Sequence, residues 1–100
     1  MEPSEQNVIC GIDPGLSGGL AFINPSKPGW CHVEDMPVIR VTKSRREIDV
    51  VATATIMHLW KPTEVFIEKV GAMPKQGVSS TFTFGTGYGI LLGICGGLGL

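Results

Sequence analysis

Two short runs decide the fold: Val8-Ile9-Cys10-Gly11-Ile12-Asp13, closed by Pro14-Gly15, and Val65-Phe66-Ile67-Glu68-Lys69-Val70, closed by Gly71. Both are apolar, rich in β-branched residues, and end in a carboxylate followed by a turn residue. That is the signature of a strand that stops at an edge. Side chains alternate along a strand. Asp13 therefore shares a face with Ile9 and Gly11, and Glu68 shares one with Phe66 and Val70. An unpaired carboxylate on a desolvated face costs several kcal/mol or is driven to its neutral form. A divalent cation held between two of them removes that cost, so Asp13 and Glu68 read as half of a metal-dependent nuclease site.

The rest of the chain supplies the connections. Residues 1–6 read as a disordered polar tail, and 7–100 as a single domain, since 100 residues suit at most one. The first strand runs from about Asn7 to Asp13. Pro14-Gly15-Leu16-Ser17-Gly18-Gly19 is a tight turn into a second strand, Leu20-Ala21-Phe22-Ile23. Asn24 to Gly29 is turn chemistry. Trp30 to Met36 is a third strand, with Trp30, His32 and Glu34 on one face and Cys31, Val33 and Asp35 on the other, and Pro37 ends it.

Ser44-Arg45-Arg46-Glu47 has the form of a capping box. It predicts a helix with Ser44 as N-cap and a buried face of Ile48, Val51, Ala52, Thr55, Ile56 and Leu59, stopped by Lys61-Pro62. A fourth strand covers about Glu64 to Val70. Residues 71–81 read as a polar loop and a second helix begins near Phe82 or Thr83. Gly85, Gly89, Gly93 and Gly97 form a bare stripe down that helix. Each glycine there costs about 1 kcal/mol against alanine, which makes sense where another backbone, the sheet or a bound strand approaches closely.

The order β-β-β-α-β-α is a three-stranded meander followed by a crossover helix. A crossover of that kind lays the fourth strand parallel to the first and brings Asp13 and Glu68 to one sheet edge. Two-metal phosphodiester chemistry uses such an edge, with ions roughly 3.5–4 Å apart. Hard carboxylate oxygens select Mg²⁺ or Mn²⁺ over zinc.

Composition excludes less than it allows. Eight Lys and Arg stand against nine Asp and Glu, for a net charge of −1, so no overall basic excess announces a nucleic-acid binder. Arg40, Lys43, Arg45 and Arg46 cluster ahead of the first helix and read as its solvated start, with a phosphate contact as the open alternative, since Arg at a helix start is mildly unfavourable with the macrodipole. The acidic, polar N-terminus shows no secretory signal. Cys10, Cys31 and Cys95, odd in number and far apart, read as reduced thiols of a cytoplasmic protein. The apolar run from Ile90 to Leu100 is short of the roughly 20 residues a spanning helix needs, so no membrane is expected. Trp30 and Trp60 read as packing residues, and His32 and His58 as structural.

Ile9-Cys10-Gly11-Ile12-Asp13-Pro14-Gly15 with Phe66-Ile67-Glu68-Lys69-Val70 resembles the RuvC-like Holliday junction resolvases of the ribonuclease H-like superfamily. Gly71-Ala72-Met73-Pro74-Lys75-Gln76-Gly77-Val78-Ser79-Ser80 and Phe84-Gly85 look most like the phage-type members. The resemblance covers residues 8 to about 95. It implies an α/β, ribonuclease H-like fold with helices on the faces of the sheet. It also implies a structure-selective endonuclease that resolves four-way DNA junctions in recombination and repair, in the cytoplasm of a bacterium or a phage-infected host.

By the same resemblance Asp13 and Glu68 are the first two catalytic, metal-binding carboxylates, the complete site holds two Mg²⁺ or Mn²⁺ ions, and the protein works as a homodimer. Lys75, Ser79, Ser80 and Lys69 are then DNA contacts, along the 71–81 loop and the second helix. The family's set includes two further acidic residues on a later helix, whereas this chain has no acidic residue after Glu68. The chain accordingly reads as a C-terminally incomplete, inactive portion. The turn after Asp13 is also shorter than in the cellular enzymes.

Two other readings share some of these residues. Gly11-Ile12-Asp13-Pro14-Gly15 also fits the opening hairpin of ATP-dependent phosphotransferases of the actin and sugar-kinase superfamily, and a non-catalytic DNA-binding module would need no more than the half-site. Gly15-Leu16-Ser17-Gly18-Gly19 matches the G-x-S-x-G nucleophile elbow formally, but that motif needs a helix after the turn, and a strand follows here.

Overall fold

The computed structural model describes residues 7–69 and 77–100, and of residues 78–80 the backbone alone. The elements are β1 (Ile9–Asp13), β2 (Gly19–Ile23), β3 (Cys31–Asp35), β4 (Val38–Arg40), β5 (Arg46–Ile48), α1 (Val50–Trp60), β6 (Glu64–Ile67) and α2 (Val78–Leu98). The main sheet has the order β3-β2-β1-β6. β1, β2 and β3 form the expected antiparallel meander, and β6 lies parallel to β1 with Ile9 beside Glu64 and Ile12 beside Ile67. The fold is thus α/β with a mixed sheet.

Alternation splits the sheet into two unlike faces. Cys10, Ile12, Leu20 and Phe22 are buried and form the floor of the core with Met36, Ile48, Met57, Leu91, Ile94 and Cys95. Met57 of α1 places its sulfur 4.0 Å from the Cys10 thiol, and Leu91, Ile94 and Cys95 bring α2 to the same side. Burial, with a smaller contribution from Cys95, raises the Cys10 thiol pKa to about 12, so this thiol stays neutral and serves as packing. Trp60 stacks on Phe22 at 5.5 Å and contacts Trp30 and His32 at 5.6 and 4.6 Å between ring centres. Both tryptophans are packing residues.

The opposite face carries Ile9, Gly11, Asp13, Val33, Phe66 and Glu68. Val33 is 64% exposed and Phe66 60%. Among the described residues both helices cover one face and the other is open.

The start of α1 also differs from expectation. Ser44 is not its cap and Glu47 does not reach back into a capping box. Residues 46–48 form β5, paired antiparallel with β4 through Val38–Ile48, Ile39–Glu47 and Arg40–Arg46. Asp49 is the N-cap instead, its carboxylate accepting from the Ala52 amide at 3.0 Å. The Asp49 amide donates to the Pro37 carbonyl at 2.9 Å, which ties the cap to the foot of the ribbon. The buried residues of α1 are Thr53 and Met57, while Val51, Thr55 and Leu59 are exposed. The helix is apolar nearly all round, so periodicity did not choose its inner side; the sheet did. Lys61 closes it in the left-handed conformation (φ 46°), its amide donating to Met57.

α2 starts at Val78, earlier than expected, so residues 78–81 are helical rather than loop. It is 21 residues long, not a short apolar run, and Thr81–Leu98 is by length and composition apolar enough to cross a membrane. Leu91, Ile94 and Cys95 nevertheless pack it into the domain core. The glycine stripe receives no close backbone: a Cβ at Gly85, Gly89, Gly93 or Gly97 would meet nothing within 4 Å. The close approach is at Gly87, where a Cβ would lie 3.1 Å from Ile48 of β5 and 3.6 Å from the Pro14 carbonyl. The tail at 1–6 and the 70–76 portion of the predicted strand and loop lie outside the described residues.

The cap assignment has a direct test. Asp49→Ala should lower stability by about 1 kcal/mol, the usual worth of an N-cap, and Ser44→Ala should change it by less than about 0.5 kcal/mol. Urea unfolding of the two variants distinguishes them, and the reverse order of effects would restore Ser44 as the cap.

Candidate functional site

Asp13 is the last residue of β1, opposite Gly19 of β2. Its Oδ1 accepts the Gly15 amide at 3.2 Å, so its carboxylate organises the turn as the Asp-Pro-Gly chemistry suggests. The turn closes with the Gly18 amide donating to the Gly15 carbonyl at 2.9 Å. A Cβ on Gly18 would fall 2.1 Å from the Asp13 carbonyl oxygen. Glycine is required there because the chain folds back over the strand end. Gly15-Leu16-Ser17-Gly18-Gly19 runs into β2, which excludes the nucleophile elbow.

Glu68 follows β6 directly, and its amide donates to the Ile12 carbonyl at 3.1 Å. The parallel ladder thus continues one step beyond Ile12–Ile67 and sets Glu68 beside Asp13. Adjacent strands lie about 4.7–4.9 Å apart, and laterally aligned residues point to the same face. Both residues are exposed, on the open face and not in a desolvated core. The burial argument for metal binding is corrected accordingly. What remains is mutual repulsion between two carboxylates held at neighbouring strand ends, which a divalent cation relieves.

The residues present suit a hard cation. Asp13 has Oδ2 free of the turn bond, Glu68 is exposed, and Mg²⁺ is commonly bound through one or two carboxylates while it keeps several waters. Among the described residues no three His, Cys, Asp or Glu side chains gather closely enough to hold an ion together.

Sequence reasoning missed one neighbour. Asp35 pairs with Gly19, which pairs with Asp13. Asp35, Gly19, Asp13 and Glu68 therefore form one row across the open face, with no side chain between the first two carboxylates. A Cβ on Gly19 would come within 2.8 Å of the Glu34 carbonyl. The alternation that placed Asp35 opposite Glu34 was readable from the sequence, but its alignment with Asp13 needed the register of two hairpins.

Of the other expected contacts, Lys69 is exposed next to Glu68. Ser79 and Ser80 lie in the first turn of α2, after Gly77, an N-cap without a side-chain acceptor; their side chains are outside the described residues, as is Lys75. The structure thus brings Asp13 and Glu68 together. No protein-family model matches this chain, and no curated protein matches its sequence.

Asn at position 13 keeps an oxygen for the Gly15 amide but loses the charge. Asp13→Asn should unfold within about 0.5 kcal/mol of the wild type, yet lose the selective broadening by Mn²⁺ of the amide resonances of Gly15 and Glu68. Broadening that survives in Asp13→Asn would remove Asp13 from a cation site.

Proposed function

We propose that this chain carries the N-terminal half-site of a Mg²⁺-dependent, structure-selective DNA endonuclease of the ribonuclease H-like, RuvC type, acting on four-way junctions as a homodimer. The observation that carries this reading is the pair Asp13 and Glu68, side by side at the C-terminal ends of parallel strands on an open sheet face. A phosphodiester needs access from solvent and a hard cation to bind near such a pair, and the open face provides the access.

In that role Asp13 and Glu68 hold Mg²⁺ or Mn²⁺. The bound cation supplies charge neutralisation at the phosphate and a more acidic water. The Asp13 carboxylate is held by the Gly15 amide, and the backbone of Glu68 is held at the strand end by its bond to the Ile12 carbonyl. Lys69, Ser79, Ser80 and Lys75 are the proposed contacts to DNA phosphates. The two-metal form of the site needs carboxylates beyond Asp13 and Glu68.

The β1–β2 hairpin alone equally suits the phosphate-holding turn of an ATP-dependent phosphotransferase. Glu68 beside Asp13 favours the nuclease, since a second carboxylate at the turn opposes a bare nucleotide phosphate.

The test is cleavage of a synthetic four-way junction with Mg²⁺ by this chain together with any native sequence downstream of Leu100. Cutting should fall by a factor of roughly 100 or more in Asp13→Asn or Glu68→Gln, corresponding to loss of several kcal/mol of metal stabilisation, while junction binding persists at low salt. Undiminished cutting by either variant, or ATP hydrolysis without junction binding, contradicts the proposal.

A further inference from the structure

The β4–β5 ribbon places four of the chain's eight cations, Arg40, Lys43, Arg45 and Arg46, within seven residues and with no carboxylate among them. Had Ser44 begun a helix, they would be its solvated start. In the structure they belong to a ribbon instead, and their arrangement there is electrostatically unfavourable. Arg40 and Arg46 are directly opposed across the two strands, and like charges in that position destabilise a sheet. Arg45 pairs with Glu47 at 2.7 Å. Arg40 donates to the Lys43 carbonyl, which holds its guanidinium at the ribbon's tip. Among the described residues Lys43 and Arg46 have no acidic partner, and both are exposed.

The ribbon also has a fixed direction. Ile48 packs against Gly87 of α2, and Arg46, two residues earlier, lies on the same ribbon face. Toward the ribbon tip from that contact, Arg46 and Thr83 of α2 line one surface recess. The recess, of about 460 Å³, is lined by Leu16, Ser44, Arg45, Arg46, Phe82 and Thr83. Its charged wall is the ribbon, and Phe82 is an aromatic 70% exposed. Leu16 belongs to the turn that Asp13 organises, so the recess adjoins that turn.

We infer that the β4–β5 ribbon is a clamp for the phosphodiester backbone of a DNA strand that runs from the Asp13–Glu68 edge, past Leu16, into this recess. Arg46 and Lys43 contact phosphates, and Phe82 offers a face for a base. A cationic groove beside an exposed aromatic is the recognised pattern for binding unpaired strands, and a bridging phosphate removes the Arg40–Arg46 repulsion. The inference rests on the nuclease reading for the identity of the strand.

The experiment follows binding of a fluorescein-labelled four-way junction by anisotropy over a KCl series, with Lys43→Gln/Arg46→Gln compared with Lys27→Gln. Lys27 lies in the β2–β3 turn, at the end of the sheet opposite Asp13, because Ile23 pairs with Ile9. Two lost phosphate contacts on an unpaired strand should reduce the slope of log Kd against log salt by about 1.4 and weaken binding roughly 25-fold at 0.1 M KCl. Lys27→Gln should leave both unchanged. The thermal midpoint of the double variant should hold or rise, because repulsion is relieved. Unchanged slope and affinity in the double variant overturn the clamp and leave the nuclease reading standing. Absence of binding by the wild type at every salt concentration overturns both. A lowered midpoint accompanying the lost binding assigns the ribbon a structural role and overturns the clamp.

Discussion

The parallel pairing of β1 with β6 is the constraint on which the rest depends. It needs a crossover, and α1 provides it, beginning at the Asp49 cap and ending at Lys61. Thr63 then enters the sheet by donating its amide to the Val8 carbonyl at 2.8 Å. Register follows from burial: Cys10 and Ile12 face the helices, and Val65 and Ile67 must face them too. A slip of one residue would turn Phe66 inward and Ile67 outward. The same slip would send Glu68 to the face opposite Asp13. Core packing therefore positions the carboxylates, although neither contributes to the core.

A second constraint sits at the end of β1. The Asp13 carboxylate, the Gly15 amide and the Gly18 backbone make a turn with no room for a side chain at position 18. The turn lets β2 begin immediately beside the strand end and keeps the carboxylate edge uncovered. Pro14 and Ile48 meet α2 at Gly87, so turn, ribbon and helix converge within a few ångströms of one another. A site built on one of these elements is mechanically joined to the other two.

Much of this was legible in the residues. The alternation in 7–13, 20–23, 30–36 and 64–70, broken by Pro-Gly and Asn-Pro clusters, specified four strands. The single helical stretch between the third and fourth implied the parallel pair. The placement of Asp13 and Glu68 at neighbouring strand ends came from the same reading. The ribbon did not, because Ser44-Arg45-Arg46-Glu47 satisfies two descriptions at once. It is a capping box in spacing, and it is also the tip and second strand of a hairpin, in which Glu47 opposes Ile39. The bond from the Asp49 amide to the Pro37 carbonyl decides between them, and a contact across twelve residues leaves no local trace. The inner side of α1 was illegible for a simpler reason: with Val50, Val51, Ala52, Ala54, Ile56, Met57, Leu59 and Trp60 around it, nearly every side is apolar. The glycine stripe of α2 was read as a site of close approach, whereas the contact falls at Gly87, between two members of the stripe.

The register of β6 against β1 is the most direct test of the account. Interstrand nuclear Overhauser contacts in the isotopically labelled protein would measure it, read between the Glu68 amide proton and the α protons of the neighbouring strand. The structure predicts a strong contact from the Glu68 amide to the strand end at Ile12 and Asp13, with the Glu68 amide slow to exchange. A ladder displaced by one residue, or β6 antiparallel to β1, would separate the two carboxylates and contradict the site.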